Sequence, residues 1–222
     1  MKKYDCEIVQ VDIGTNDDAL KNKLVFDSLK YEIMDKNTVE QNLAFIRHTY
    51  VSVCTKMYKA DIAKDIRFPL NKLHEDVFVT YQYFWRSDKN ICYVKEPLYI
   101  YEMNDGGITH SKYNINRLSE LEGWENAAKF FEQIGFVNLK NAFLYRKQKA
   151  IKEHYTHLYI YNKGNNDKQD KLNELLEESK RIYINLKNEK IFSAKEKLGL
   201  LMFHCFPALY VHLIKLLKKF GL

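Results

Sequence analysis

The feature that most constrains this chain is a change of period near residue 110. Before it, apolar residues alternate in short runs, as Val9, Val11 and Ile13 do within Cys6–Ile13. After it, they recur every third or fourth residue over four long stretches, 114–134, 138–161, 168–188 and 193–220. Leu118, Leu121, Ala127 and Phe131 mark the first of these. A period of two is the signature of a strand, and one near 3.6 that of a helix. The chain therefore reads as an α/β protein in two parts. Residues 1–112 form a partial mixed sheet with helices, and residues 113–222 form a helical C-terminal region. No internal repeat is visible.

Composition narrows the class. The chain has 222 residues, 46% of them hydrophobic and 29% charged, which is the range of folded globular proteins. Eight glycines and three prolines exclude collagen-like and low-complexity chains. A mean hydropathy of −0.46 excludes a polytopic membrane protein. The net charge of +6 favours anionic partners without specifying one. Cys6, Cys54, Cys92 and Cys205 form no C-x-x-C pair and have no histidine at zinc spacing, so they read as reduced thiols. The segment Met1–Glu7 lacks the apolar stretch of a secretory signal, and the expected location is cytoplasmic.

Within the first part, 6–13 and 48–54 read as strands, and 91–101 as two short strands bent at Pro97. Segment 23–33 reads as a weak element, and 38–46 as a helix with Thr38 as its cap. Segment 57–64 reads as a helical turn or two. The sharpest chemical feature is Phe68-Pro69 followed by His74-Glu75-Asp76. Two adjacent carboxylates open a helix that runs through Val77, Phe78, Tyr81, Phe84 and Trp85. Exposed N–H groups at such a start favour the carboxylate anion by about 0.3–1 kcal/mol. An anionic carboxylate is what a general base requires. The plainer reading is that Glu75 and Asp76 only cap and charge a helix.

Four motifs in order carry a resemblance. They are Val53-Cys54-Thr55-Lys56-Met57-Tyr58, then Ile66-Arg67-Phe68-Pro69, then His74-Glu75-Asp76, then Pro97-Leu98-Tyr99-Ile100-Tyr101 with Gly107-Ile108-Thr109. Together they resemble the acceptor-side half of bacterial family 2 glycosyltransferases of the GT-A fold, over about residues 4–112. The resemblance implies an inverting sugar transfer from a nucleotide-sugar to a hydroxyl acceptor, in synthesis of a bacterial surface polysaccharide. It makes Asp76 the general base, and gathers Glu75, His74, Lys56, Tyr99, Tyr101, Gly107 and Thr109 around the acceptor. Gly107 stands where the family often has serine, which removes a hydroxyl there. The resemblance also implies a Mn²⁺ or Mg²⁺ ion for the complete enzyme, on an Asp-x-Asp motif in the nucleotide-binding half. No convincing copy of that motif occurs in this sequence. Asp12 and Asp17-Asp18 have the wrong surroundings, and Gly106-Gly107 is too short for a phosphate loop. The expectation is thus an acceptor half that binds no metal by itself and meets nucleotide-sugar only with a further half. Its acceptor would be a saccharide or a lipid-linked saccharide. The alternative is a non-catalytic remnant that binds glycan, membrane or a partner subunit. Nucleic acid is not an expected partner, because the positive charge is dispersed and no recognition motif occurs.

Two weaker signals remain. His154 and His157 share one helix face, most simply a partly exposed surface. Leu198–Ile214 carries no charged residue and is flanked by Lys195, Lys197, Lys215, Lys218 and Lys219. With Pro207 in its middle it suits an interfacial helix better than a span. The expected apolar face is Leu200, Phe203, Phe206, Leu209, Leu213 and Leu217. The competing reading is a helix docked in the core. The first reading places the tail on the inner face of the membrane.

Overall fold

In a computed structural model the described residues are 1–14, 29–43, 51–102, 113–161 and 166–219. They belong to two compact units, Met1–Lys112 and Tyr113–Leu222. The fold is α/β. The first unit holds a four-stranded mixed sheet of β1 (Cys6–Gly14), β2 (Tyr31–Met34), β3 (Lys56–Tyr58) and β4 (Asn90–Ile100). Its order is β2-β4-β1-β3. β1 runs parallel to β4, and the edge strands β3 and β2 are antiparallel to their neighbours. Among the described residues three short helices join it: α1 (Lys36–Asn42), α2 (Ala60–Ala63) and α3 (Thr80–Arg86).

The face of β1 that packs is the one opposite to its aliphatic alternation. Cys6, Ile8 and Gln10 are buried, while Val9 and Val11 are half-buried and Ile13 is exposed. The reason lies in what covers the even face. Ile8 and Gln10 stand opposite Tyr58 and Lys56 of β3, and those two side chains meet Tyr83 and Phe84 of α3. Directly opposite residues share a face, so α3 roofs Cys6, Ile8 and Gln10.

Three expectations for local structure change. The strand foreseen over 48–54 gives way to a 3-10 turn at Val53–Thr55, and a strand forms instead as β3 at Lys56–Tyr58, just ahead of α2, which supplies the helical turn expected within 57–64. Residues 44–50 lie outside the described residues. α1 begins earlier than Thr38: Asp35 is the cap, its carboxylate accepting the Thr38 N–H at 2.7 Å. β4 is one strand instead of two. Pro97 sits where its register with β1 jumps, between the pairs Val11↔Val94 and Ile13↔Tyr99, and at such a bulge a missing N–H breaks no ladder bond. Gly14 closes this place. A Cβ there would lie 2.8 Å from Cβ of Pro97, closer than atoms pack.

The second unit is helical: α4 (Ser119–Gln133), α5 (Val137–Tyr161), α6 (Asn166–Leu186), α7 (Ala194–Cys205) and α8 (Pro207–Lys219). α5 is its axis. Its buried positions run around the helix, from Leu139 and Phe143 to Ile151, Tyr155 and Leu158, because α4 and α6 pack on it and Phe203 of α7 meets Tyr155 edge-on. α7 starts with a reciprocal Ser193–Glu196 capping box. The tail is two helices, since Phe206 leaves helical geometry just before Pro207, as residues preceding proline tend to do. The apolar face foreseen for it is partly wrong. Leu200 and Phe203 are buried in the core, while Phe206 and Leu209 are exposed. Among the described residues, no helix is long and apolar enough to cross a membrane.

Candidate functional site

The first unit gathers its polar chemistry at the β3 edge. Strand alternation turns Lys56 and Tyr58 to the roofed face and leaves Met57 66% exposed on the other. Four contacts fix the segment. The buried Thr80 hydroxyl donates to the carbonyl of Val51 at 2.5 Å. The Lys56 ammonium donates to the Ser52 carbonyl and to Thr55 Oγ1, the latter at 3.1 Å. Its Nζ also lies 5.9 Å from the centre of the Phe84 ring.

The acidic pair arrives on a strained loop. Asn71 and His74 both hold φ of 57°, in the left-handed region. Asparagine and histidine adopt that region more readily than most residues. His74 thereby starts a single 3-10 turn, Glu75–Phe78, with its carbonyl accepting the Val77 N–H at 3.1 Å. Glu75 is exposed and Asp76 half-buried. This corrects the expectation of a carboxylate stabilised as the anion by a helix start. One four-residue 3-10 turn has little macrodipole, and burial dominates. Burial and the neighbouring Glu75 raise the Asp76 carboxyl above the ordinary range, against the pull of His74 and of N–H donors at Val77 and Asp76 itself.

Lys56 is shifted the opposite way. Burial lowers its ammonium to about 7, although the charges of Cys54 and Asp76 favour the protonated form. Tyr58 is pushed up by burial, then by Tyr83, Asp76 and Cys54. Its hydroxyl is buried with no hydrogen-bond partner among the described residues, a costly state that asks for a reason. Tyr99 shares a hydrogen bond with Cys54, and this raises its phenol. Cys54 Sγ lies 2.9 Å from Ser52 Oγ. Tyr101 is exposed and near enough to influence Tyr99.

Of the residues expected at the site, Lys56 feels the charge of Asp76, and Asp76 that of Glu75 and His74, while Tyr99 and Tyr101 connect to Lys56 only through Cys54. Gly107 and Thr109 lie outside the described residues. Arg67, the basic residue of the Ile66–Pro69 motif, is exposed and donates to the carbonyls of Lys64 at 2.5 Å and Ile66 at 3.3 Å. Sequence reasoning missed Cys54, Tyr58, Tyr83 and Thr80. The spacing Cys54-x-Lys56-x-Tyr58 was the available signal, since strand period puts Lys56 and Tyr58 on one face. Among the described residues, no group of three histidine, cysteine or acidic side chains could hold a metal ion. Asp12 instead accepts the Tyr93 hydroxyl at 2.5 Å, and Asp17-Asp18 lie outside the described residues.

Lys56 carries a measurable cost. Its ordinary value of 10.5 falls to about 7 on folding, so the unfolded chain binds the extra proton between these values. The resulting penalty is absent above pH 10.5, grows as pH falls, and is complete below about pH 7. Lys56→Met is therefore expected to stabilise the first unit at pH 7 by about 1–2 kcal/mol, a value discounted for partial exposure. The gain should shrink toward zero near pH 10 in urea denaturation. Equal destabilisation at both pH values would show that the ammonium is held by its hydrogen bonds and carries no burial penalty.

The second unit holds three buried polar clusters, all centred on α5. Lys147 is ion-paired to Glu125 and Glu178, beside a cleft of about 390 Å³ also lined by Lys140, Arg181 and Asn185. Gln148 donates to Ser179 at 2.5 Å, and Ser179 Oγ lies 2.7 Å from His204 Nε2. Burial, then Lys180 and Lys152, hold the His204 imidazole down to about 4. The expectation of a partly exposed surface holds for His157 but not for His154, which is buried. His154 joins the Tyr113 hydroxyl at 3.0 Å to the Glu120 carboxylate at 3.1 Å. His157 stacks on Tyr113, ring centres 5.3 Å apart.

No family model matches the sequence, and no curated protein matches it either, so the functional reading rests on the geometry at the β3 edge.

Proposed function

We propose that residues 1–112 form the acceptor side of an inverting sugar transfer, with Asp76 as the general base. One observation carries the reading. A carboxyl raised in pKa, an amine lowered to about 7 and a buried phenol with no hydrogen-bond partner among the described residues influence one another's charge. A base works best when its pKa approaches the working pH, and burial moves Asp76 in that direction. In the proposed step an acceptor hydroxyl gives its proton to the Asp76 carboxylate. Its oxygen forms the bond to the anomeric carbon with inversion, and the bond from that carbon to the nucleoside diphosphate breaks. Lys56 and the Tyr58 hydroxyl supply donors to acceptor oxygens, and Tyr99 and Tyr101 supply aromatic faces for the sugar ring. The order of the four motifs supports assigning this chemistry to a family 2-like glycosyltransferase, acting on a saccharide of a bacterial surface polysaccharide. The donor nucleotide-sugar, and any Mn²⁺ or Mg²⁺, belong in this reading to residues other than those described.

The test separates acceptor from donor. Short oligosaccharides should shift the amide resonances of residues 53–58, 74–80 and 98–101 in NMR spectra of the whole chain. Nucleoside diphosphate sugars should bind at best weakly in calorimetry, with or without Mn²⁺. Asp76→Asn should keep the saccharide shifts, and in any reconstituted transfer reaction should lower kcat about 100- to 10,000-fold. Micromolar, metal-dependent binding of a nucleoside diphosphate sugar by this chain would overturn the division into halves. Absence of any saccharide-induced shift in those segments would overturn the acceptor assignment.

A further inference from the structure

The two C-terminal helices present two apolar faces, and only one is used in packing. Leu200, Phe203, Tyr210 and Val211 are buried. Leu198, Leu201, Phe206, Leu209, Leu213 and Leu216 are exposed, by 68%, 58%, 63%, 58%, 38% and 51%. On α7 the exposed positions Ala194, Leu198, Leu201 and Cys205 follow each other at intervals of three and four, which is one helix face. On α8, Leu209, Leu213 and Leu216 do the same. Phe206 stands at the junction. Isolated exposed leucines need no explanation, but six large apolar residues exposed on two successive helices do.

Charge identifies the occupant. Residues 193–222 contain five lysines and one glutamate, a side-chain balance of +4. The glutamate is not free to offset them. Glu196 is committed inward to the Tyr145 hydroxyl, to Ser193 and to Lys149. Burial opposes its ionisation, but these donors hold its carboxyl down to about 2. Lys195 at the start of α7, and Lys215 and Lys219 beside Leu216, flank the stripe, and Lys195 and Lys215 are exposed. A second copy of this chain would bring the same lysines against themselves across a two-fold axis, and like charges across such an interface oppose it. An anionic bilayer meets both features. Leucine and phenylalanine enter the acyl boundary while flanking lysines reach the headgroups along their own methylene stems.

We propose that α7 and α8 lie in the plane of an anionic membrane, with Leu198, Leu201, Phe206, Leu209, Leu213 and Leu216 inserted and Lys195, Lys215 and Lys219 on the headgroups. This surface is independent of the reading given to Asp76. It differs from a face inferred from hydropathy alone, which would include Leu200 and Phe203.

The test is flotation of the full chain with two kinds of vesicle, pure phosphatidylcholine and phosphatidylcholine mixed with phosphatidylglycerol. The intact chain should float with the anionic vesicles at low salt and keep a measurable fraction bound at high salt. Leu201→Asp with Leu209→Asp alters only exposed positions and should leave the circular dichroism and melting unchanged while lowering the partition coefficient at least about tenfold. Lys215→Glu with Lys219→Glu should lower it about fivefold or more per lysine at low salt. Failure of the intact chain to float with anionic vesicles at low salt would overturn the proposal, as would flotation indifferent to the aspartate pair. A concentration-dependent dimer that the same pair abolishes, without vesicle binding, would assign the stripe to a second copy instead.

Discussion

Phe131→Ala is expected to cost the helical unit about 4 kcal/mol, the largest loss among its single core truncations. Phe131 is fully buried on α4, its ring stacked on Phe143 with centres 5.3 Å apart and planes 3° from parallel. Trp124 lies against the same phenylalanine at 6.1 Å. Removing the ring leaves a cavity between α4 and α5 that neither helix can close, because their polar clusters fix the axial position of each. For a unit of this size the loss corresponds to a fall in Tm of about 20 °C. The chain has two tryptophans, one in each unit, so Trp85→Phe leaves Trp124 as a private reporter of the helical unit's unfolding. Phe130→Ala provides the comparison. Phe130 is half-buried and meets Phe131 only at its edge, and its truncation should cost about 1 kcal/mol. Equal losses at the two positions would show that the core is not organised around the stacked pair.

The helical half was legible because its signals are local. A period near 3.6 over stretches 138–161 and 168–188 matches α5 at Val137–Tyr161 and α6 at Asn166–Leu186. Pro207 announces its own break. The sheet was less legible, because its elements are fixed by partners distant in sequence. β3 has three residues, Lys-Met-Tyr, with no polarity alternation to read, and it exists because β1 supplies its hydrogen bonds. The odd face of β1 is the more aliphatic one, yet the even face is roofed, and only the position of α3 decides this. Pro97 reads as a break in any single strand, whereas a bulge closing on Gly14 absorbs it.

The acidic pair at the candidate site stood out in the sequence because two carboxylates follow a Pro-bearing loop. The direction of the Asp76 shift did not. Its burial depends on tertiary packing that no local pattern encodes. The same holds for Lys56, which as a strand-end cation reads as solvated but is half-buried near Phe84, Cys54 and Asp76. Tyr58, whose buried hydroxyl has no partner among the described residues, resembles any other aromatic residue in a strand until that hydroxyl is placed. Local pattern thus singled out the acidic pair and Lys56 but not Tyr58, and in each case packing set the direction of the shift.

Lys147→Met is expected to cost the helical unit about 3 kcal/mol, because it strands two carboxylates. Lys147 is 6% exposed on α5 and ion-paired to Glu125 of α4 and Glu178 of α6. The paired ammonium holds Glu125 below the usual carboxylate range, against burial that pushes it up. Without the cation, both carboxylates remain partly buried beside each other, and breaking a buried ion pair by removing one partner costs about 3–5 kcal/mol. The lower end applies, since the two carboxylates are about one-third exposed. Methionine keeps the length of the lysine stem, so the cavity contribution stays small. Two further variants separate charge from packing. Adding Glu125→Gln and Glu178→Gln to Lys147→Met removes the stranded charges and should return at least half of the loss. Lowering the pH should rescue the single variant in the same way, because protonating the two carboxylates relieves their repulsion, so its deficit relative to wild type should narrow between pH 7 and pH 4. Urea denaturation followed at Trp124 reads all of these. If the triple variant is no more stable than Lys147→Met, and the deficit is constant with pH, Lys147 acts through the packing of its stem and the ion pairs contribute nothing.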